Sequence, residues 1–167
     1  CTLETAFKVV VVREEDFRPL LKTPNDWNFT KRSEISVQVL QEIDSYTRVM
    51  VHDIPGQTSV RYVFLARTAQ WELPDGKRRM GFSMMTIDSE TNKRSRDSEI
   101  PDKHIEWITE TWAYLTLTEI DDSSVEVVYE HCAECETESH AGYLMAQWVQ
   151  FLVRWEQFVV PSNLVTC

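Results

Sequence analysis

Glycine is scarce, with only four in 167 residues. With so few, no glycine-rich phosphate loop can be drawn, which excludes the common nucleotide cradles. Positive charge is also in short supply: 17 lysines and arginines stand against 27 aspartates and glutamates, a net charge of −10 with neutral histidines. A nucleic-acid surface needs clustered cations, so no nucleic-acid partner is expected. The same balance opposes stable docking on anionic lipid, and the basic run Lys77, Arg78 and Arg79 reads as a solvated turn, with a transient membrane contact as the alternative. No serine sits in a nucleophile elbow, and no serine, histidine and acid fall at a known catalytic spacing. Neither an enzyme nor a cofactor is therefore expected. The cysteines are Cys1, Cys132, Cys135 and Cys167. Cys132-Ala-Glu-Cys135 has the spacing of two zinc ligands, but no second pair accompanies it, so a reduced pair holding no metal is the reading. Asn28-Phe29-Thr30 fits a glycosylation acceptor, which matters only in a secreted protein. No signal peptide or lipidation motif is visible, and a cytoplasmic location is expected.

Aromatic residues, by contrast, are plentiful: six Trp, five Tyr and seven Phe. The segment His140 to Val160 carries Leu144, Trp148, Phe151, Leu152, Trp155 and Phe158 at helical three-and-four spacing. Met145, Val149 and Val153 widen that stripe, and Gln147, Gln150, Arg154 and Gln157 form a narrow wet seam. Arg154, Glu156 and the glutamines make a membrane span costly, so the spacing predicts a lid helix lying across a sheet.

Along the rest of the chain, Thr5 to Val12 ends in four consecutive valines and reads as a buried strand. Glu14 to Lys22 reads as a short helix stopped by Pro24. From Glu34 the period becomes two. Ile35, Val37 and Val39 alternate with Ser36, Gln38 and Leu40, and a turn at Asp44-Ser45 leads into Thr47 to His52. Val60 to Thr68 is another strand, joined through Pro74-Asp75-Gly76 to Lys77 to Asp88 as a hairpin. Asp88 to Lys103 reads as an exposed loop. His104 to Glu119 is a long strand or bent pair, and Val125 to His131 is the last strand. Thr137 or Ser139 can cap the closing helix. No repeat or linker divides residues 1–167, so one α+β domain is expected: a curved antiparallel sheet with one face covered by the terminal helix. A groove or cavity between the two is the expected binding place.

Several of these stretches together resemble the steroidogenic-acute-regulatory-related lipid-transfer (START) family and, more loosely, the helix-grip superfamily that includes polyketide cyclases and plant hormone receptors. The resemblance is carried by Trp27 after a short helix, by Val60-Arg61-Tyr62-Val63-Phe64-Leu65-Ala66-Arg67, and by Asp75-Gly76 followed by Phe82-Ser83-Met84. It continues through Ile120-Asp121-Asp122-Ser123-Ser124-Val125 and the closing helix. Two departures stand out: Tyr62 replaces a usual acidic residue, and the family's amino-terminal helix and first strands are missing. A segment cut from a larger protein, with neighbouring domains as partners, is the corresponding expectation. The resemblance implies a helix-grip fold, its sheet wrapped around the long terminal helix, with a tunnel holding one lipid or sterol and no chemistry performed.

The residues suited to such a cavity are Met50, Met84, Trp107, Trp112, Tyr114, Met145, Trp148, Leu152 and Trp155 as walls, methionine adapting well to flexible chains. His52 and Arg61 are the candidates for orienting a polar head group, because a buried arginine needs a partner. Each wall residue alone also serves as ordinary core, and both polar ones also fit a wet outer face. The function expected is non-enzymatic binding of a lipid or sterol for transfer or sensing. A cyclase- or hydratase-like enzyme of the same superfamily, or an interaction module with a collapsed cavity, are the alternatives.

Overall fold

A computed structural model describes residues 1–12, 19–88 and 105–160. The chain is α+β. Helix α1 (Leu3–Val12) is followed by a 3-10 turn (Phe29–Glu34), then β1 (Ser36–Asp44), β2 (Thr47–Ile54), β3 (Ser59–Glu72) and β4 (Arg78–Thr86). After these come β5 (Ile105–Trp107), β6 (Trp112–Asp121), β7 (Ser124–Cys132) and the closing helix α2 (Glu138–Val159). The strands form one sheet of seven in the order β1-β2-β3-β4-β6-β7, every neighbouring pair antiparallel, while β5 pairs in parallel with the start of β3. Short-range chemistry makes its turns. Asp44 Oδ1 accepts the Tyr46 N–H at 2.7 Å, and Asp121 Oδ1 accepts that of Ser123 at 2.8 Å. Gly76 takes a φ of 81°, which a side chain would resist, and so closes the β3–β4 hairpin.

The two-residue period sorts the side chains cleanly between faces. Opposite partners share a face: Met50 with Phe64, His52 with Tyr62, Ala66 with Met84, Phe82 with Leu115, and Leu117 with Val127. Most of this inner face is buried, with Tyr62, Phe64, Met84 and Leu117 fully so. The outer face carries Asp53, Arg61, Leu65, Ser83, Tyr114 and Val128.

What covers the inner face differs from expectation in two places. Thr5 to Val12 is not a strand but most of α1. The valine run favours a strand locally, but Leu3, Ala6 and Val10 fall at three-and-four spacing and are all buried. Ala6, with its single methyl, lets the helix come close to the sheet, where α1 packs on β4, β6, β7 and α2. Tertiary burial overrides the local preference. Arg78 then ties α1 to the sheet by bonding both Glu4 and Glu119. Of the expected helix Glu14 to Lys22, Pro19–Lys22 has no helical turn, and the remainder lies outside the described residues, as does nearly all of the loop at Asp88 to Lys103.

Helix α2 begins as expected, with Thr137 Oγ1 accepting the His140 N–H at 3.1 Å. Its buried side chains are His140, Leu144, Phe151, Trp155 and Val159, a narrower stripe than the sequence suggests. Trp148 and Leu152 are half-buried, and Met145, Val149, Val153 and Phe158 are exposed. The cause is α1, which takes up part of the inner face. α2 packs on α1, and its rings meet β7, with Phe151 against Tyr129 and Trp148 against His131. Among the described residues no helix is long and apolar enough to cross a membrane.

If Phe64 anchors the core as its complete burial requires, Phe64→Ala lowers unfolding free energy by about 3–5 kcal/mol in urea titrations. Val128→Ala on the outer face changes it by less than about 1 kcal/mol.

Candidate functional site

The candidate site is a groove between the edge strand β7 and α2. In β7 the half-buried Val125, Val127, Tyr129 and His131 alternate with the exposed Glu126, Val128, Glu130 and Cys132. The half-buried set faces α2, whose Val149, Leu152, Val153, Trp155 and Val159 form the opposite wall. The space measures about 560 Å³, within the range of small-molecule sites. Its lining is mostly aliphatic and aromatic, with Glu156 at the margin. Trp155 is almost wholly buried, yet its indole N–H has no hydrogen-bond partner.

Beyond Tyr129, which lines the groove, a second and smaller cavity is lined by the strap Pro19–Pro24, which belongs to neither helix nor sheet. Its buried backbone groups must therefore find side-chain partners. Tyr62 Oη accepts the Leu21 N–H at 3.2 Å and offers its own hydrogen to His52 Nδ1, 2.9 Å away. His131 Nε2–H donates to the Leu21 carbonyl at 2.8 Å, leaving Nδ1 to accept from the Tyr129 hydroxyl at 2.6 Å. His140 Nε2–H donates to the Thr23 carbonyl at 3.1 Å. The Lys22 ammonium pairs with Glu106 of β5, and the Tyr143 hydroxyl donates to the Trp27 carbonyl. Side chains from β3, β5, β7 and α2 thus converge on one short piece of main chain.

Burial sets the protonation states along the strap. It pushes the His131 imidazole down to about 4, against the smaller opposing effect of the bond to Leu21. Trp148 completes the burial by stacking on the ring, with centroids 3.7 Å apart and planes 23° apart. Burial likewise holds the Tyr129 phenol well above its ordinary value, with Tyr62 adding to the effect. Tyr129 therefore remains a hydroxyl donor and His131 a neutral ring.

The residues named from sequence fall into separate places. Leu152 and Trp155 line the groove, and Trp148 stacks on His131 and lines the small cavity beside the strap. Met50, His52 and Met84 lie on the inner face but are packed in the core. Met145 is 60% exposed on the solvent side of α2. Arg61, Trp107, Trp112 and Tyr114 share the outer face and do not meet the others. Arg61 Nη2 bonds Asp53 Oδ2 at 2.7 Å, and its guanidinium lies 5.4 Å from the Trp107 ring centre. Trp112 and Tyr114 pack on each other at 5.0 Å. The reason is strand parity: Arg61 stands one residue from the inward Tyr62, and Trp112 and Tyr114 flank the inward Ala113.

Sequence reading missed the β7 wall, although the alternation of Val125, Val127 and Tyr129 was the signal for it. It also missed the roles of His131 and His140, whose partners are main-chain carbonyls more than a hundred positions away. No spacing rule encodes such a pairing. Cys132 and Cys135 carry free thiols, and among the described residues no three histidine, cysteine or carboxylate side chains gather in a way that would hold a metal. Comparison with known protein families finds no match, and no curated protein matches the chain.

If Tyr62 is the acceptor that lets the strap be buried, Tyr62→Phe strands the Leu21 N–H. Unfolding free energy then falls by about 1–3 kcal/mol in denaturant titrations, although the core volume hardly changes.

Proposed function

We propose that this chain binds a lipid or sterol, without chemistry, in the groove between β7 and α2, for transfer or sensing. The observation that carries the reading is the apolar groove of about 560 Å³ whose walls are valine, leucine, tyrosine and tryptophan. A site of this lining offers an apolar guest the transfer of its surface from water, at roughly 25 cal/mol per Å². It offers a charged reactant little, because one carboxylate and no convergent acid–base pair border it. An antiparallel sheet followed by a long terminal helix is the arrangement that a START-like, helix-grip reading calls for, and the order of elements supports it. In that reading α2 is the gripped helix and β7 the strand that opens toward it. The exposed Met145, Val149, Val153 and Phe158 on α2 give a membrane a place of transient contact beside the groove.

A fluorescent fatty-acyl or sterol probe titrated with the protein tests this directly. The wild type is expected to take up the probe saturably, and Leu152→Glu to weaken uptake at least tenfold while the far-ultraviolet spectrum and melting curve stay close to wild type. Equal uptake by Leu152→Glu would remove the groove as the site.

A further inference from the structure

The strap also sits between helix and sheet. It links the amino-terminal part of α2 to the sheet, through His140 to Thr23 and Tyr143 to Trp27 on one side and through His131 and Tyr62 to Leu21 on the other. Near its other end the helix rests on α1. A small cavity lined by Leu20, Thr23, Tyr129, Trp148 and Phe151 lies between strap and helix, and Tyr129 also lines the large groove. Removal of the strap would therefore lengthen the groove inward past Tyr129.

We propose that the strap is an acid-sensitive latch: a proton on His131 Nδ1 displaces the hydrogen bond from Tyr129 and puts a charge beneath Trp148, so the strap parts from β7 and the amino-terminal half of α2 is freed to move off the sheet edge. The chemistry follows from how the rings are used. Neutral His131 has one donor and one acceptor, and both are engaged. A second ring proton turns Nδ1 into a donor facing the Tyr129 hydroxyl, whose own hydrogen then loses its acceptor, and places a charge beneath Trp148. His140 holds the Thr23 carbonyl through Nε2–H. The His131 ring is better protonated in water than in place.

The surroundings offer little relief. From β7 the group facing His131 is Tyr129, Tyr62 of β3 acts on Tyr129 and bonds the same Leu21, and Arg32 of the 3-10 turn lines the small cavity. Of the carboxylates near the strap, Glu106 and Asp26 pair with Lys22 and Lys31, and Glu110, Glu134 and Glu136 line the pocket on the Lys22 side. Tyr143 is the titratable neighbour of His140 on α2, its ring centre 6.2 Å away. Because the folded His131 value lies below the ordinary one near 6.5, the closed strap is fully favoured above that pH. It loses ground as pH falls toward about 4. His131 alone then raises the opening constant about twentyfold between pH 7 and pH 5.

Hydrogen–deuterium exchange on the ligand-free chain, corrected for the intrinsic pH dependence of exchange, tests the latch. Protection across residues 19–27 is expected to fall between pH 7 and pH 5 while β3 and β4 keep theirs. The variant His131→Gln keeps a donor for the Leu21 carbonyl but cannot titrate, so its strap should stay protected. An equal acid response in that variant, or loss of strap and sheet protection together in the wild type, would overturn the proposal. Should that variant not fold, Tyr129→Phe, which removes the hydrogen bond that the proton displaces, must show a shallower response than wild type, and an unchanged slope counts against the latch. The consequence for ligand rests on the groove being a lipid site, and a bound fluorescent lipid separates the two ideas. Release at pH 5 in step with strap opening supports gating, retention with an open strap overturns gating alone, and no uptake at pH 7 overturns the lipid site while leaving the exchange result standing.

Discussion

A short stretch of main chain without secondary structure is buried in this protein, and the cost of its backbone amides and carbonyls governs much of the rest. Leu21 presents an N–H and a carbonyl to the interior, and Thr23 presents a carbonyl. Left unsatisfied, each would cost about 1–3 kcal/mol. The protein answers with Tyr62, His131 and His140, drawn from β3, β7 and α2. Those three bonds hold a peripheral segment, the edge of the sheet and the start of the closing helix in one arrangement. They also explain why histidine, a costly residue to bury, stands at the edge of the sheet and at the head of α2.

The groove is the other side of the same constraint. α2 is held at one end by the strap and packs on α1 toward the other, and between these supports its apolar side chains face β7 across open space. A helix laid flat on the centre of the sheet would have filled that space with its own side chains. Here α1 occupies part of the inner face with Leu3, Ala6 and Val10, and α2 is displaced toward β7. The exposed Met145, Val149 and Val153 follow from that displacement, as does the half-burial of Trp148 and Leu152. The functional reading therefore depends on what α1 does, although α1 contributes only Cys1, just before its start, to the groove lining.

Much of this architecture was legible in the sequence because it is local. Period-two alternation gave β2, β3, β4 and β7, the Pro74-Asp75-Gly76 turn gave a hairpin, and Thr137 marked the start of α2. What escaped was whatever required a partner distant in the chain. Val9, Val10 and their neighbours look like a strand until Leu3 and Ala6 are seen to complete a helical face against the sheet. Trp112 and Tyr114 were expected in a cavity wall, and Arg61 either at its head-group end or on a wet outer face, because a list of aromatic and polar residues carries no parity. The register of β3 against β2, and of β6 against β4, puts them on the outer face. Tyr129 and the valines beside it were visible as an alternating strand, but only the placement of α2 makes them a wall.

Native mass spectrometry of the protein, after incubation with mixed neutral lipid vesicles and removal of the vesicles without detergent, tests the central claim most directly. The account predicts a complex heavier than the 167-residue chain by the mass of one lipid, released by organic extraction. A bare chain with its fold intact would contradict it.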